Sequence, residues 1–519
     1  MKSRPSISLD GAPPVEGQST SAAAQGAVSG VIWTTVQRWA VRISGLATVM
    51  ILTRVLGPEQ FGLVSVAMAI TPAVYLVSDM GFSTYLVQVE ELSRRIVSTA
   101  FFYSAASGIA LVGLFALSAP LLGQLFGEPG AAAVVWGICP GVLFTALASV
   151  PTALLRRRME FRTLAIQGAI GSLVGQALAV GLAFAGAGVW ALVVQLVAYQ
   201  AVGAVLVWIS ARWRPSWDFS LLEFKRMLSF GMSVVASDGV ALLRQWAETA
   251  IIGAVLGITG LGYLNVAQRL ITVTQDLSAS AIVPVSTVMF ARVRGLADDL
   301  LDRYLRALAT SYAIVMPFLI FVAVGAPSVI LILFGPGWDV SVVPAQALSV
   351  AGILTLGASL DGGLFYGTGR PGLWFMYASA VDAATVASTA IGVQFGLVGT
   401  SVGFVGVAIA ATIARWFVVG RHLKTSASRV AMPILTISLA GVASGAVGVG
   451  GYALSAGMSP WLRLAITGLL IVAAHAGVLR VSAPSTARDV AGILRRQAGK
   501  IGKASRRIAP ERGVELARQ

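Results

Sequence analysis

Arg38 and Arg42 lie four residues apart, and Arg244 and Glu248 repeat that interval further along the chain. In a helix this spacing puts both members of a pair on one face. A guanidinium is a planar fork of N–H donors that matches phosphate and carboxylate oxygens, so a face carrying Arg38 and Arg42 suits an oxyanion. The alternative is that the surrounding apolar run starts later and both arginines reach back to a membrane boundary. Arg244 and Glu248 can bridge internally, which makes a charged pair cheaper to carry through an apolar element. They can also open, leaving Arg244 for an anion and Glu248 for a proton or Na⁺. Asp276 and Asp382 stand near the middles of apolar runs, where a lone carboxylate is costly and tends to hold a proton, the chemistry of ion coupling. Arg269 is a further candidate cation for an anionic ligand, although with Asp79, Asp361 and Arg415 it lies nearer the end of its run, where charged side chains often serve as interfacial anchors.

Other residue types offer little chemistry. His475 is alone in an apolar run and reads as a packing residue rather than a proton relay. Gly399-Thr400-Ser401-Val402-Gly403 has the form of a nucleophile elbow, but an elbow needs a strand-to-helix turn with histidine and acid partners. Here it falls in an apolar segment, where small residues allow close helix packing. Cys139 is the single cysteine and has no thiol partner for a disulfide or metal site. No zinc-protease signature, Walker loop or acidic metal cluster appears, so no cofactor and no enzymatic reaction are expected.

The elements that must position these charges are membrane helices. The 519 residues are 56% hydrophobic and 11% charged, with a mean hydropathy of +0.83, outside the range of soluble domains. In lipid every backbone polar group must be paired within its own segment or in a closed barrel, and apolar runs of about 20 residues suit helices. The pattern predicts an all-α integral membrane protein of about fourteen spans, near 29–53, 61–87, 97–122, 131–155, 163–185, 189–211, 230–256, 261–290, 305–334, 341–367, 372–395, 397–420, 430–455 and 461–481. Every second connection is basic: Arg94 and Arg95, then Arg156 to Arg162, Arg212 to Arg226, Arg292 to Arg306, Arg370, and Arg421 to Arg429. Short cytoplasmic loops carry such an excess, so both termini are expected in the cytoplasm of a multi-pass plasma-membrane protein. The net charge of +15 then reflects topology rather than nucleic-acid binding. Residues 1–28 read as a disordered cytoplasmic tail without a signal-peptide core, and 482–519 as a basic cytoplasmic tail able to lie on anionic lipid.

Val55-Leu56-Gly57 recurs as Val255-Leu256-Gly257, Gly62 as Gly262, and Val66-Ala67 as Val266-Ala267. This offset of 200 residues covers six spans, an even number, so both copies cross in the same direction, as in transporters built from parallel repeats. The division that follows is an N-lobe over 29–211, a C-lobe over 212–420 and an extra helix pair over 430–481, the lobes enclosing a central cavity and rocking about it.

Thr53-Arg54-Val55-Leu56-Gly57-Pro58-Glu59-Gln60-Phe61-Gly62, followed in order by Ile252-Gly253, Leu261-Gly262-Tyr263, Pro284-Val285-Ser286, Pro317, Gly335, Trp338 and Gly367-Thr368-Gly369-Arg370-Pro371, resembles the polysaccharide biosynthesis, or oligosaccharide flippase (Wzx-like), family of the multidrug/oligosaccharidyl-lipid/polysaccharide exporter superfamily. The likeness covers roughly residues 30–480 and rests on order and spacing. Glu248 stands where many relatives would have Asp, which keeps the charge. The resemblance implies a flippase that turns a lipid-linked oligosaccharide, on an undecaprenyl-diphosphate carrier, from the inner to the outer leaflet for cell-surface polysaccharide. Arg38, Arg42, Arg244 and Arg269 would then face the diphosphate, and Glu248, Asp276 and Asp382 would couple transport to H⁺ or Na⁺. The partners expected are the lipid-linked substrate, the bilayer and polymerase or export machinery, with no nucleic acid. A multidrug or organic-cation antiporter of the same superfamily is the alternative, and an acid-dominated cavity would mark it. A polysaccharide polymerase or glycosyltransferase would be expected to carry a sizeable outer loop or a soluble domain.

Overall fold

The computed structural model describes residues 41–42, 44–292, 297–493 and 495. Among these residues the ordered elements are all helices. Eleven helical stretches are long and apolar enough to cross a membrane, and those over Asp339–Gly367 and Pro371–His422 each contain more than one element in series. The chain is a multi-pass, all-α membrane protein.

Helix α1 (Ser44–Val55) leads through Gly57 into α2 (Pro58–Asp79), with Pro58 at the first helical position, where its missing N–H costs nothing. Then follow α3 (Phe82–Gln88), α4 (Arg94–Leu125), α5 (Gly130–Arg157), α6 (Phe161–Phe184), α7 (Trp190–Ala211), α8 (Leu221–Arg292) and α9 (Ala297–Phe334). After a 3₁₀ turn come α10 (Val342–Thr355), α11 (Ala358–Gly367), α12 (Pro371–Gly392), α13 (Gly396–His422), α14 (Ala427–Leu454) and α15 (Pro460–Ser482). Ser93 and Ser426 cap α4 and α14 by accepting hydrogen bonds from the amides of Ile96 and Arg429 at 3.2 and 3.3 Å, satisfying donors that the first helical turn leaves open.

Several predicted spans are interrupted or lengthened. The run expected as one helix over 61–87 divides at Met80 and Gly81, whose φ values of 46° and 73° are left-handed. The run over 341–367 divides between α10 and α11. Helix α4 extends three residues beyond each end of its apolar run, and α8 begins at Leu221 rather than near 230, because a helix continues into water once its core turns are formed.

The chain forms two compact units. One comprises the residues up to Asn265 with Leu333–Trp338 and Thr389–Gly396; the other comprises Val266–Ile332, Asp339–Ser388 and the chain from Leu397 onward. In the first unit α3, α4, α5 and the start of α8 close around Phe82, Leu86, Val97, Val150, Leu154 and Met227. Phe82 lies 4.7 Å from the Tyr103 ring, and Phe101 packs edge-on against Trp208 and Trp213.

The repeated hairpins meet in this unit. Gly57 is extended at ψ 171° between α1 and α2, and Gly257 breaks α8 at φ 72°, ψ 177°, a conformation that glycine adopts without a Cβ penalty. Beyond the breaks, α2 crosses the second half of α8 backbone to backbone. A Cβ on Gly62 would stand 1.8 Å from the Ile258 carbonyl oxygen, and one on Gly262 would stand 2.0 Å from that of Pro58. Residue 62 meets 258 as residue 262 meets 58, so the offset of 200 in sequence becomes a pseudo-twofold contact in space. Trp338, 1% exposed, seals the crossing. Its ring lies edge-on to Phe61 and Tyr263 and its indole N–H donates to the Thr53 carbonyl at 3.1 Å.

Candidate functional site

The candidate charges of the first unit sit on α1 and α8. Arg38 lies outside the described residues. Arg42 is helical and half-buried just ahead of α1. Within α1 the Thr48 hydroxyl lies 3.5 Å from the amide oxygen of Gln176 on α6, and Gln176 in turn donates to Ser172 at 2.8 Å.

Arg244 and Glu248 are brought together. The Arg244 Nη1 lies 2.6 Å from Glu248 Oε1, with the arginine side chain 31% exposed and the glutamate 11%. One helical turn sets this distance, so the pair forms without any other element having to move into place. Between them on the chain, the Trp246 indole N–H donates to the Ala69 carbonyl of α2 at 2.8 Å, which fixes the rotation of α8 about its axis. The glutamate is inside the packing and the arginine at its edge, an arrangement in which the guanidinium can exchange its partner while the carboxylate stays enclosed.

The second unit holds Arg269 and Asp382, both half-buried, on α8 and α12. Asp276 lies on α8, with its side chain outside the described residues. Asp79 belongs to the first unit and closes the break after α2, where its Oδ1 accepts hydrogen bonds from the Ser83 hydroxyl, the Ser83 amide at 3.2 Å and the Ser149 hydroxyl at 2.7 Å.

Asp361 and Arg415 depart from the expectation of boundary anchors. They are 0% and 2% exposed and face one another within the second unit, Arg415 Nε to Asp361 Oδ2 at 3.4 Å. Tyr304 of α9 donates to Asp361 Oδ1 at 2.5 Å, and Arg415 Nη2 donates to the Tyr312 hydroxyl at 3.1 Å. Tyr312 and Thr412 both donate to the Leu354 carbonyl, at 3.1 and 2.8 Å, which is left without a helical partner where α10 stops. The guanidinium fills the gap between α10 and α11, since a Cβ on Gly357 would stand 2.0 Å from Arg415 Nη1. Four helices are thus pinned at one break, α9, α11 and α13 by charge-assisted hydrogen bonds, which are about twice as strong as neutral ones, and α10 by the two neutral bonds to Leu354. Periodicity could have offered one signal: Tyr304 and Tyr312 recur at two helical turns, and Thr412 and Arg415 share a face at i,i+3.

The remaining singled-out residues are structural. His475, 4% exposed, places Nε2 3.2 Å from the Ala313 carbonyl oxygen. Ser401 lies inside α13 and donates to the Leu397 carbonyl at 2.6 Å, so its Gly-x-Ser-x-Gly context is helical and forms no elbow.

Among known proteins, the chain is 26% identical to the succinoglycan biosynthesis transport protein ExoT of Rhizobium meliloti, over 60% of this chain and 61% of that protein. It is 24% identical to the lipopolysaccharide biosynthesis protein WzxC of Escherichia coli, over 78% of this chain and 82% of that one. The solved structure of the lipid II flippase MurJ in an inward closed conformation superimposes with a TM-score of 0.71 at 14% identity, covering 86% of this chain and 99% of MurJ; the chain therefore has the fold of that membrane transporter. The model of a family described as polysaccharide biosynthesis protein matches residues 51–343, which include the glycine crossing, the Arg244–Glu248 pair and Trp338. The chain belongs to the polysaccharide biosynthesis protein family.

Proposed function

We propose that this chain turns a lipid-linked oligosaccharide, carried on undecaprenyl diphosphate, from the inner to the outer leaflet of a bacterial plasma membrane by alternating access. It acts as a transporter rather than an enzyme. The observation that carries this reading is the fold shared with a lipid II flippase over nearly the whole of that protein, in a chain whose family is polysaccharide biosynthesis. A relative named as a succinoglycan transport protein supports it. In this reading fourteen spans form two six-helix lobes, 29–211 and 212–420, and a terminal pair over 430–481, with both termini cytoplasmic.

A diphosphate headgroup cannot cross hydrocarbon without cations to replace its hydration, and charges within spans are costly enough to be kept for function. Arg38, Arg42, Arg244 and Arg269 are assigned that role. Glu248, Asp276 and Asp382 are assigned to the coupling ion, H⁺ or Na⁺. The Arg244–Glu248 bridge at 2.6 Å supports an exchange in which the diphosphate takes the arginine and the released carboxylate takes the ion.

Leaflet accessibility of a fluorescent undecaprenyl-diphosphate oligosaccharide in proteoliposomes tests the reading. The expected result is transfer that needs the protein, responds to an imposed pH or Na⁺ gradient, and is lost in Arg244→Ala although the variant still inserts. Efflux of organic cations without any transfer of the lipid would replace the flippase with a drug antiporter.

A further inference from the structure

The exposed surfaces of α6 and α2 differ in kind. On α6 the exposed positions include Ile166, Ile170, Leu173 and Leu178, branched aliphatics that hydrocarbon accepts readily. On α2 the residues Ser65, Met68, Pro72, Tyr75 and Asp79 recur at helical spacing and form one half-buried to exposed face without a leucine, isoleucine or valine. Hydroxyl and carboxylate groups are costly in hydrocarbon, so this face suits water rather than lipid.

Tyr75 is 49% exposed on that face, and α7 brings two further polar side chains to it. The Gln200 amide donates to the Tyr75 hydroxyl at 3.1 Å, which uses one of its two N–H groups. Gln200 also lines a cavity of about 40 Å³ with Thr71 and Thr145, room for one water-sized group. Tyr199, 39% exposed, is near enough for its hydroxyl to interact electrostatically with that of Tyr75. Glycine on α6 makes room for it: a Cβ on Gly171 would stand 3.4 Å from the Tyr199 ring and 3.1 Å from its carbonyl oxygen. Both rings are thus anchored yet exposed.

The strip leads to the Arg244–Glu248 pair. Trp246, 37% exposed, is bonded to Ala69, which precedes Tyr75 on α2 by about 9 Å of helix. Aromatic rings beside an amide and phenol hydroxyls, with no charge among them, have the chemistry that receives an uncharged polyol. The C–H faces of a pyranose lie on the rings, and its hydroxyls exchange hydrogen bonds with the amide and phenol groups.

We infer that Tyr75, Tyr199 and Gln200 form a saccharide subsite, which holds a pyranose ring of the lipid-linked oligosaccharide while Arg244 holds its diphosphate. This assignment rests on the flippase reading and adds to it the place where the sugar is bound.

The test is native mass spectrometry of the full-length protein, titrated with undecaprenyl diphosphate and with undecaprenyl diphosphate glucose. The glucosylated lipid is expected to bind about tenfold more tightly, and Tyr75→Ala with Gln200→Leu to remove that preference without weakening the sugar-free lipid. Tyr75→Phe, which keeps the ring, should retain part of the preference, and Arg244→Ala should weaken both lipids alike. Equal affinity of the parent for the two lipids, or a preference that survives the double variant, would overturn the subsite and leave the flippase reading standing. So would a double variant that loses both lipids to the same degree, since the residues would then serve structure alone. A parent that binds neither lipid would remove the flippase reading and the subsite with it.

Discussion

Two ion pairs in this chain carry the same charges and do opposite work. Arg244 and Glu248 belong to one helix, one turn apart, and the arginine remains 31% exposed. Asp361 and Arg415 belong to different helices 54 positions apart, are sealed from solvent, and are held at their far sides by Tyr304 and Tyr312. The first can open and close while every helix stays where it is. The second opens only if α9, α11 and α13 separate, so it resists the motion that the first allows. Charge inside an apolar element therefore does not by itself identify a transport residue: the sealed pair reads as a strut and the open pair as the part that can change partners.

The largest effect should follow from breaking the strut on one side. Arg415→Met leaves the Asp361 carboxylate buried with Tyr304 as its donor, and an uncompensated buried charge costs about 3–5 kcal/mol. Thermal unfolding in detergent should show a large loss, and Asp361→Leu added to Arg415→Met should recover most of it, since apolar replacement of a buried pair is often neutral or stabilising. Gly357→Ala sharpens the point. Its Cβ would intrude on the Arg415 guanidinium, so it should destabilise the parent and be tolerated beside Arg415→Met. A single Arg415→Met variant as stable as the parent would remove the distinction between the pairs.

A smaller loss is expected where backbone, rather than charge, makes the contact. At the crossing of α2 and α8 a Cβ on Gly62 or Gly262 meets a carbonyl oxygen that cannot turn aside, and overpacking of this kind costs roughly 1–3 kcal/mol. Because residue 62 meets 258 as 262 meets 58, Gly62→Ala and Gly262→Ala should shift the melting temperature by similar amounts. A wide difference between them would show that the two halves of the contact are not equivalent.

What could be read in the chain follows the reach of each interaction. The all-helical, multi-pass fold was legible from apolar runs, and the crossing left its trace as a repeat, because Gly62 and Gly262 are marked by identical neighbours at a constant offset. Arg244 and Glu248 were legible because helical geometry converts a spacing of four into contact. Asp361 and Arg415 have no such rule: their meeting depends on how α11 packs on α13, and distance from a run's end suggested boundary anchors instead. The breaks at Met80 and between α10 and α11 were missed although Ser78-Asp79-Met80-Gly81 and Gly357 stand at them, because both are stabilised by side chains brought from elsewhere, Ser149 in one case and Tyr312 and Thr412 in the other.

The smallest stability effect belongs to the open pair, and it is the sharpest probe of what that pair does. The bridge is open at its arginine end, which is 31% exposed, so solvent can replace the guanidinium there and Arg244→Ala should unfold close to the parent temperature, far from the loss expected of Arg415→Met. The same substitution removes a cation assigned to the diphosphate, so leaflet transfer should fall while the melting curve hardly moves. Glu248→Gln then separates the two parts of the assignment. It keeps the shape and a hydrogen-bond acceptor for Arg244 but can no longer take up an ion, so transfer down the lipid's own gradient should persist while the response to an imposed H⁺ or Na⁺ gradient is lost. If Arg244→Ala instead unfolded the protein as Arg415→Met does, the bridge would be a second strut and the site of exchange would lie elsewhere on the chain.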